Sequence, residues 1–190
     1  MTGNDVEKPL RAVFLDRDGV VNQSVVRNNK PYPPVSVESL VILPGVTRAI
    51  ALFKDAGLPV FVVTNQPDVA KGIQKREVVE AINNELQRLL SFDEIFACFH
   101  DDPDECDCRK PRPGMLLQAA KKYNIDLSRS FLVGDRWRDI SAGHAVNCTT
   151  FFIDYGYDEP KSPLADFNVH SLFEASLKIM EILGISVRPL

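Results

Sequence analysis

A chain of 190 residues with a net charge of −4, 45% hydrophobic and 25% charged residues is long enough for one core and short of two ordinary domains, and its composition excludes a coiled coil, a fibrous repeat and extensive disorder. It has no Lys/Arg-rich run, so nucleic acid and anionic membrane surfaces find little electrostatic reason to bind the chain as a whole and are not expected partners; recognition of a small phosphorylated metabolite would have to be local. The opening MTGNDVEKPL has neither a basic n-region nor an apolar h-region, and no later segment reaches membrane-span length; residues 1–10 read as a flexible lead into one domain over 11–190 of a cytoplasmic, monomeric protein.

Apolar runs at 12–16, 59–64, 94–99, 130–134 and 149–153 are rich in Val, Ile or Phe and read as strands. Between them, 46–56, 75–90, 114–123 and 137–146 carry apolar residues at helical spacing, and a last helix over 172–183 follows Ser171 as its N-cap. This alternation predicts an α/β fold, a Rossmann-like parallel sheet with helices on both faces. Two segments interrupt it, 21–44, rich in Pro and Asn, and 98–113. The first is too short to be an independent lid domain. Ligands of such sheets bind at the carboxyl ends of the strands, where Asp16, Thr64 and Asp135 fall.

The first of those ends is Phe14-Leu15-Asp16-Arg17-Asp18-Gly19. On an extended chain Asp16 and Asp18 lie on one side and Arg17 on the other. Like charges so close need a cation, and Mg²⁺ suits them because it prefers carboxylate oxygens and commonly also binds substrate phosphate. One carboxylate can then attack phosphorus while the other handles the leaving group's proton. Alone, the motif fits equally a strand end whose aspartates cap a turn. Thr64-Asn65-Gln66 offers a hydroxyl and two amides as neutral donors. In Arg109-Lys110-Pro111 the lysine can neutralise charge on a transferring group and the arginine can grip a second anionic group. In Gly134-Asp135-Arg136-Trp137-Arg138-Asp139, Asp135 can complete the Mg²⁺ site, while Asp139 orients a ligand or caps the helix.

Cys98-Phe99-His100, five residues, then Cys106-Asp107-Cys108 supplies four ligands in two closely spaced pairs, the full tetrahedral complement of a structural zinc. No position is left for a catalytic water, so zinc is expected to pin the loop and fix Arg109 and Lys110 against the site. Cys148 stands alone and reads as a buried thiol near a strand start. His144 and His170 lack ligand neighbours and read as helix or surface residues.

With Asp-x-Asp, Thr, Lys and Asp in that order at strand ends, the chain resembles the haloacid dehalogenase superfamily of phosphohydrolases from Arg11 to about Leu183. The resemblance implies an aspartyl-phosphate route with Asp16 as nucleophile, Asp18 as general acid and then base, and Thr64 and Lys110 as phosphoryl stabilisers. It places Mg²⁺ on Asp16, Asp135 and the backbone carbonyl of Asp18. Bulky caps of superfamily members are inserted after the first motif or before the third; neither gap has room here, so an open site without a cap domain is expected. The ligand set Cys98, His100, Cys106 and Cys108 narrows the resemblance to zinc-containing members that hydrolyse D-glycero-D-manno-heptose 1,7-bisphosphate or histidinol phosphate. The run from Cys106 to Leu116 resembles the heptose enzymes, and the compact loop between the ligand pairs resembles the histidinol phosphatases. After Gln66, Pro67-Asp68-Val69-Ala70-Lys71-Gly72 departs from the Ser-Gly-Ile-Ala-Arg-Gly usual in heptose enzymes. The heptose version gives Arg109 a substrate phosphate or hydroxyl, with Asn65, Gln66, Arg136 and the segment from Ser24 to Arg27 adding contacts. A catalytically silent domain that uses its zinc loop for protein contact is the reading from another class, and the complete set of Asp16, Asp18, Lys110 and Asp135 argues against it.

Overall fold

The computed structural model describes residues 8–160 and 165–187. Residues 1–7 of the lead expected to be flexible thus lie outside the described residues, whereas Leu10 is tied down: its N–H donates to Asn124 O at 2.8 Å and its carbonyl accepts from Asp126 N at 2.8 Å.

The chain runs β1 (Val13–Leu15), β2 (Val25–Arg27), β3 (Lys30–Tyr32), α1 (Val46–Asp55), β4 (Val60–Asn65), α2 (Arg76–Leu90), β5 (Glu94–Cys98), α3 (Gly114–Tyr123), β6 (Phe131–Gly134), α4 (Trp137–His144), β7 (Thr149–Ile153), β8 (Phe167–Val169) and α5 (Leu172–Ile182). Every strand and helix expected from the sequence is present, with ends displaced by at most two residues. Six strands form one parallel sheet in the order β5-β4-β1-β6-β7-β8.

Successive side chains of a strand point to opposite faces, and β1 divides accordingly. Val13 and Leu15 join Val60, Val62, Phe131 and Val133 in one core, covered by Phe53 of α1, Leu86 of α2 and Ile179 of α5. Phe14 joins Phe61, Val63 and Leu132 in the other, covered by Leu116 of α3 and Ala142 of α4. Cover on both faces is why the strands read as unbroken apolar runs. Phe14 stacks on Phe61 with ring centroids 5.5 Å apart; truncating it to Ala would cost about 3–5 kcal/mol. The α5 start is as expected, with Ser171 Oγ accepting from Glu174 N at 3.1 Å. No helix among the described residues is long and apolar enough to cross a membrane.

The sequence did not reveal β8 or the β2–β3 hairpin, because three-residue strands are too short to show a period. Asn28 and Asn29 turn the hairpin with φ of 51° and 56°, the left-handed pair a two-residue hairpin loop requires. Pro31 pairs with Val26 in a ribbon that has no third strand, so its missing N–H is tolerated. This ribbon, rather than a cap domain, is what the segment after the first motif contributes, and Asn29 O fastens it by accepting from Asp158 N at 3.0 Å.

Candidate active site

Strand β1 ends at Leu15, and the next residues turn instead of extending: Arg17 O accepts from Val21 N at 2.8 Å and Asn22 N at 3.0 Å, and Gly19 adopts φ +93°. A Cβ at Gly19 would lie 2.0 Å from Asp135 Oδ2, so only glycine lets this turn approach the neighbouring strand end. The turn replaces an extended chain, yet the expected sides hold, since Asp16 and Asp18 both line the strand-end cavity and Arg17 does not. Asp16 is buried beside Lys110, while the Arg17 guanidinium curls round to the Asp18 carboxylate, Nη2 to Oδ2 at 2.8 Å.

Lys110 is the hub. Its ammonium lies 2.7 Å from Asp16 Oδ1 and 2.6 Å from Asp139 Oδ1, and donates to Val63 O at 2.6 Å. Burial works against this charge, but the two carboxylates outweigh it and the Lys110 pKa is raised. Burial pushes Asp16 up to about 6, with Lys110 pulling down and Asp139 pushing further up. Burial, then Asp16 and Asp139, holds Asp135 well above the usual carboxylate range. Ligand oxygens of Asp16, Asp135 and Asp139 all lie within 4.8 Å of one another. Neither Asp135 oxygen finds a hydrogen bond of normal geometry. Buried acceptors left this way are costly, and three crowded carboxylates facing one lysine have the donor chemistry of a Mg²⁺ site. The Asp18 carboxylate is not part of this triad; it is held by Arg17, Asn22 and Gln66.

The residues expected to touch substrate separate into two groups. A cavity of about 300 Å³ at the strand ends is lined by Asp16, Asp18, Thr64, Asn65, Lys110 and the arginines 109 and 136, which brings most of them together. Asn65 spends both ends of its amide on the Lys110 backbone, Nδ2 to O at 2.9 Å and Oδ1 from N at 3.0 Å. Gln66 Nε2 donates to Asp18 Oδ2 at 2.8 Å and Thr64 Oγ1 at 2.9 Å. Both amides therefore brace the site, Gln66 with two hydrogen bonds from Nε2 and Asn65 with one from Nδ2. Ser24 and Arg27 do not line this cavity; the returning strand does, through 30–33. Ser24 is buried and the Arg27 guanidinium lies over the Tyr32 ring at 6.0 Å.

Arg109 Nε donates to Asp102 Oδ1 at 2.7 Å, and Arg138 meets the same carboxylate at 2.9 Å; the two arginines hold Asp102 down at about 2. Arg136 Nε donates to Glu159 Oε2 at 3.0 Å. The partners Asp102, Arg138 and Glu159 were not singled out from the sequence: Asp102 and Arg138 lie within the zinc loop and the Asp135 motif, but nothing in either pattern pairs them. Asp139 was legible only as helix cap or ligand orienter; it caps α4, its Oδ2 accepting from Arg136 N at 3.0 Å, and its other oxygen meets the Lys110 ammonium.

Cys98, His100, Cys106 and Cys108 converge beside this site. Cys108 Sγ lies 3.1 Å from Cys98 Sγ and 3.4 Å from both Cys106 Sγ and His100 Nδ1, and Cys98 Sγ lies 3.6 Å from Cys106 Sγ. Tetrahedral ligands at zinc bond lengths stand about 3.5–3.8 Å apart, so the quartet suits zinc after a small expansion. Cys148 is buried as expected, its thiol pushed up to about 12 by burial.

A parallel sheet whose strand ends bring Asp16 and Thr64 to the cavity that Lys110 also lines, with a carboxylate oxygen of Asp135 within 4.8 Å of Asp16, defines a phosphohydrolase of the haloacid dehalogenase class, and the chain belongs to that family: the haloacid dehalogenase-like hydrolase profile matches residues 22–147, beginning just after the Asp16 turn. The chain is 36% identical to the D-glycero-beta-D-manno-heptose-1,7-bisphosphate 7-phosphatase of Bordetella bronchiseptica over 152 residues, 77% of this chain and 82% of that protein. It is 36% identical to the enzyme of the same name from Pseudomonas aeruginosa over 149 residues, 76% of this chain and 81% of that one. Among solved structures, D,D-heptose 1,7-bisphosphate phosphatase from B. bronchiseptica, complexed with magnesium and phosphate, superimposes with a TM-score of 0.79 at 30% identity, over 91% of this chain and 99% of that one.

Proposed function

We propose that this chain is a Mg²⁺-dependent phosphoric monoester hydrolase that converts D-glycero-D-manno-heptose 1,7-bisphosphate to the heptose 1-phosphate. One observation carries this reading above the others: Asp16 lies buried between the Lys110 ammonium, at 2.7 Å, and the unsatisfied carboxylate of Asp135. A nucleophile there would meet a phosphoryl group drawn by the Lys110 ammonium, with Asp135 free to take a cation that offsets the crowded negative charge.

Asp16 attacks phosphorus as the bond to the sugar oxygen breaks, and Asp18 passes its proton to that oxygen. The regenerated Asp18 carboxylate then takes a proton from the water that splits the aspartyl-phosphate, releasing inorganic phosphate and Asp16. Lys110 and the Thr64 hydroxyl stabilise the equatorial oxygens throughout. When bound, Mg²⁺ would be held by Asp16, Asp135 and the Asp18 carbonyl, and would neutralise the crowded carboxylates and the phosphoryl charge. Zinc on Cys98, His100, Cys106 and Cys108 would be structural. Arg109, which lines the cavity, is the residue we assign to the second phosphate, since a guanidinium suits bidentate recognition of such a group.

Turnover of the heptose bisphosphate and of histidinol phosphate, each with and without Mg²⁺, tests the proposal. Release of the phosphate at carbon 7, followed by phosphorus NMR and abolished by Asp16→Asn, is the expected result. Faster hydrolysis of histidinol phosphate would overturn the choice of substrate, and activity surviving Asp16→Asn would overturn the mechanism.

A further inference from the structure

Arg17 heads the fully buried side chains by volume. Removing a guanidinium from water costs several kcal/mol unless its donors are paired. Here they are paired on two sides. Nη2 lies 2.8 Å from Asp18 Oδ2 and 3.1 Å from Oδ1, with Nε 3.3 Å from Oδ1. Nη1 donates to Asn83 Oδ1 on α2 at 2.9 Å.

The Asp18 carboxylate is then completed by Asn22 Nδ2 on Oδ1 at 2.9 Å and Gln66 Nε2 on Oδ2 at 2.8 Å. Asn22, Gln66 and Arg17 are all buried, yet Asp18 keeps 15% of its side chain exposed and lines the cavity. Donors from the buried side thus fix both oxygens while one edge of the carboxylate stays open. A turn that needed only closure would not need this fork, because the Arg17 backbone carbonyl already closes it.

We infer that Arg17 is a positioning residue: anchored on α2 through Asn83, it holds the Asp18 carboxylate in the orientation from which a proton passes to the leaving oxygen. The inference rests on the reading of Asp18 as the proton-transfer group, so its test must separate the two. Proton donation matters for a sugar alkoxide and hardly at all for 4-nitrophenolate, which leaves without a proton. The rate of leaving-group release in the first turnover, measured by rapid quench on the heptose bisphosphate and on 4-nitrophenyl phosphate, isolates that step.

Arg17→Met is expected to slow the first turnover of the sugar substrate about 100-fold, the usual scale of general acid catalysis, and that of 4-nitrophenyl phosphate less than about tenfold, with KM nearly unchanged. Asn83→Ala should show the same selectivity at smaller amplitude. Adding Arg17→Met to Asp18→Asn should cost nothing further on either substrate, the non-additivity expected of residues acting as a unit. Equal slowing of both substrates, or full additivity with Asp18→Asn, would overturn the inference. Should Arg17→Met fail to fold by circular dichroism, Asn83→Ala decides alone, an unchanged ratio between the substrates counting against it. If Asp18→Asn itself slows both substrates equally, the reading of Asp18 falls; if Asp18→Asn discriminates and the Arg17 and Asn83 variants do not, only the role of Arg17 falls.

Discussion

Lys110 and Asp139 form a buried ion pair, Nζ to Oδ1 at 2.6 Å, with both side chains almost wholly out of solvent. The Asp139 carboxylate closes the first turn of α4 with its other oxygen, so one side chain orients the lysine and caps the helix that follows Asp135. Breaking a buried pair by removing one partner typically costs about 3–5 kcal/mol. Asp139→Ala is therefore expected to lower stability on that scale in urea unfolding and to reduce kcat more than about tenfold. Asp139→Asn keeps the cap and loses the charge, so its stability loss should be smaller and its kcat loss similar.

Asp16 supplies a pH prediction whose sign follows from burial. Its native pKa is raised to about 6 from an ordinary value of 3.8. The folded state therefore binds this proton more tightly than the unfolded chain. The resulting stabilisation is fully present below the ordinary value and is lost as pH rises through 6. Metal-free protein should lose stability across that window, and Asp16→Asn should lose less, the remaining slope coming from Asp135, whose carboxyl burial also raises, so that the variant is the more stable of the two above pH 6. Mg²⁺ binds the ionised carboxylates, so its stabilising effect on the parent protein should grow over the same interval and be small in Asp16→Asn. Thermal unfolding of both proteins across this pH range, in chelator and in excess Mg²⁺, measures each slope.

The zinc loop gives a third expectation. Cys108 directly precedes Arg109 and Lys110, and its thiol sits 3.1 Å from Cys98 at the end of edge strand β5. Elemental analysis should find one zinc per chain, and Cys108→Ser should abolish it. A ligand present at about a thousand times its Kd adds ~4 kcal/mol, which lowers Tm on removal by roughly 8–16 °C for a chain of this size. Stripping zinc at constant Mg²⁺ should thus produce a Tm drop on that scale and a fall in kcat, because Lys110 loses its fixed approach. An unchanged Tm after complete removal would contradict a structural zinc.

The parts of this site that the sequence displays are those a strand presents directly. Asp16, Thr64 and Asp135 each end or directly follow an apolar run, and a parallel sheet places such residues side by side whatever lies between them. The zinc quartet is legible because its pairs are local. What is hidden depends on side-chain reach across the fold. Arg17 meets Asn83 across 66 positions, and Asn83 sits half-buried beside the apolar stripe of α2, where residue type alone does not say what its amide meets. The heptose resemblance nominated Ser24 to Arg27 for substrate, yet the returning strand of the hairpin lines the cavity; the Asn28-Asn29 turn and the bond from Asp158 N to Asn29 O help set that placement, and neither is visible without the dihedral angles and the fold. Asn65 and Gln66 were read as donors to a ligand from residue type alone, which cannot tell a free amide from one already engaged.

Asn65 turns that last difference into a measurable one. Its side chain pairs with both the N–H and the carbonyl of Lys110, as a neighbouring strand would, and so joins the end of β4 to the segment leaving the zinc loop. Two such hydrogen bonds contribute about 1–3 kcal/mol net. Because they fix the backbone that carries the Lys110 ammonium, their loss should appear in kcat more than in KM. Asn65→Ala is expected to reduce kcat about 10–100-fold with zinc content unchanged. Asn65→Asp, which replaces the donor to Lys110 O with a charged acceptor, should be worse than Asn65→Ala. A residue that contacted substrate directly would instead raise KM, so the split between the two constants decides whether Asn65 braces the lysine or binds the sugar.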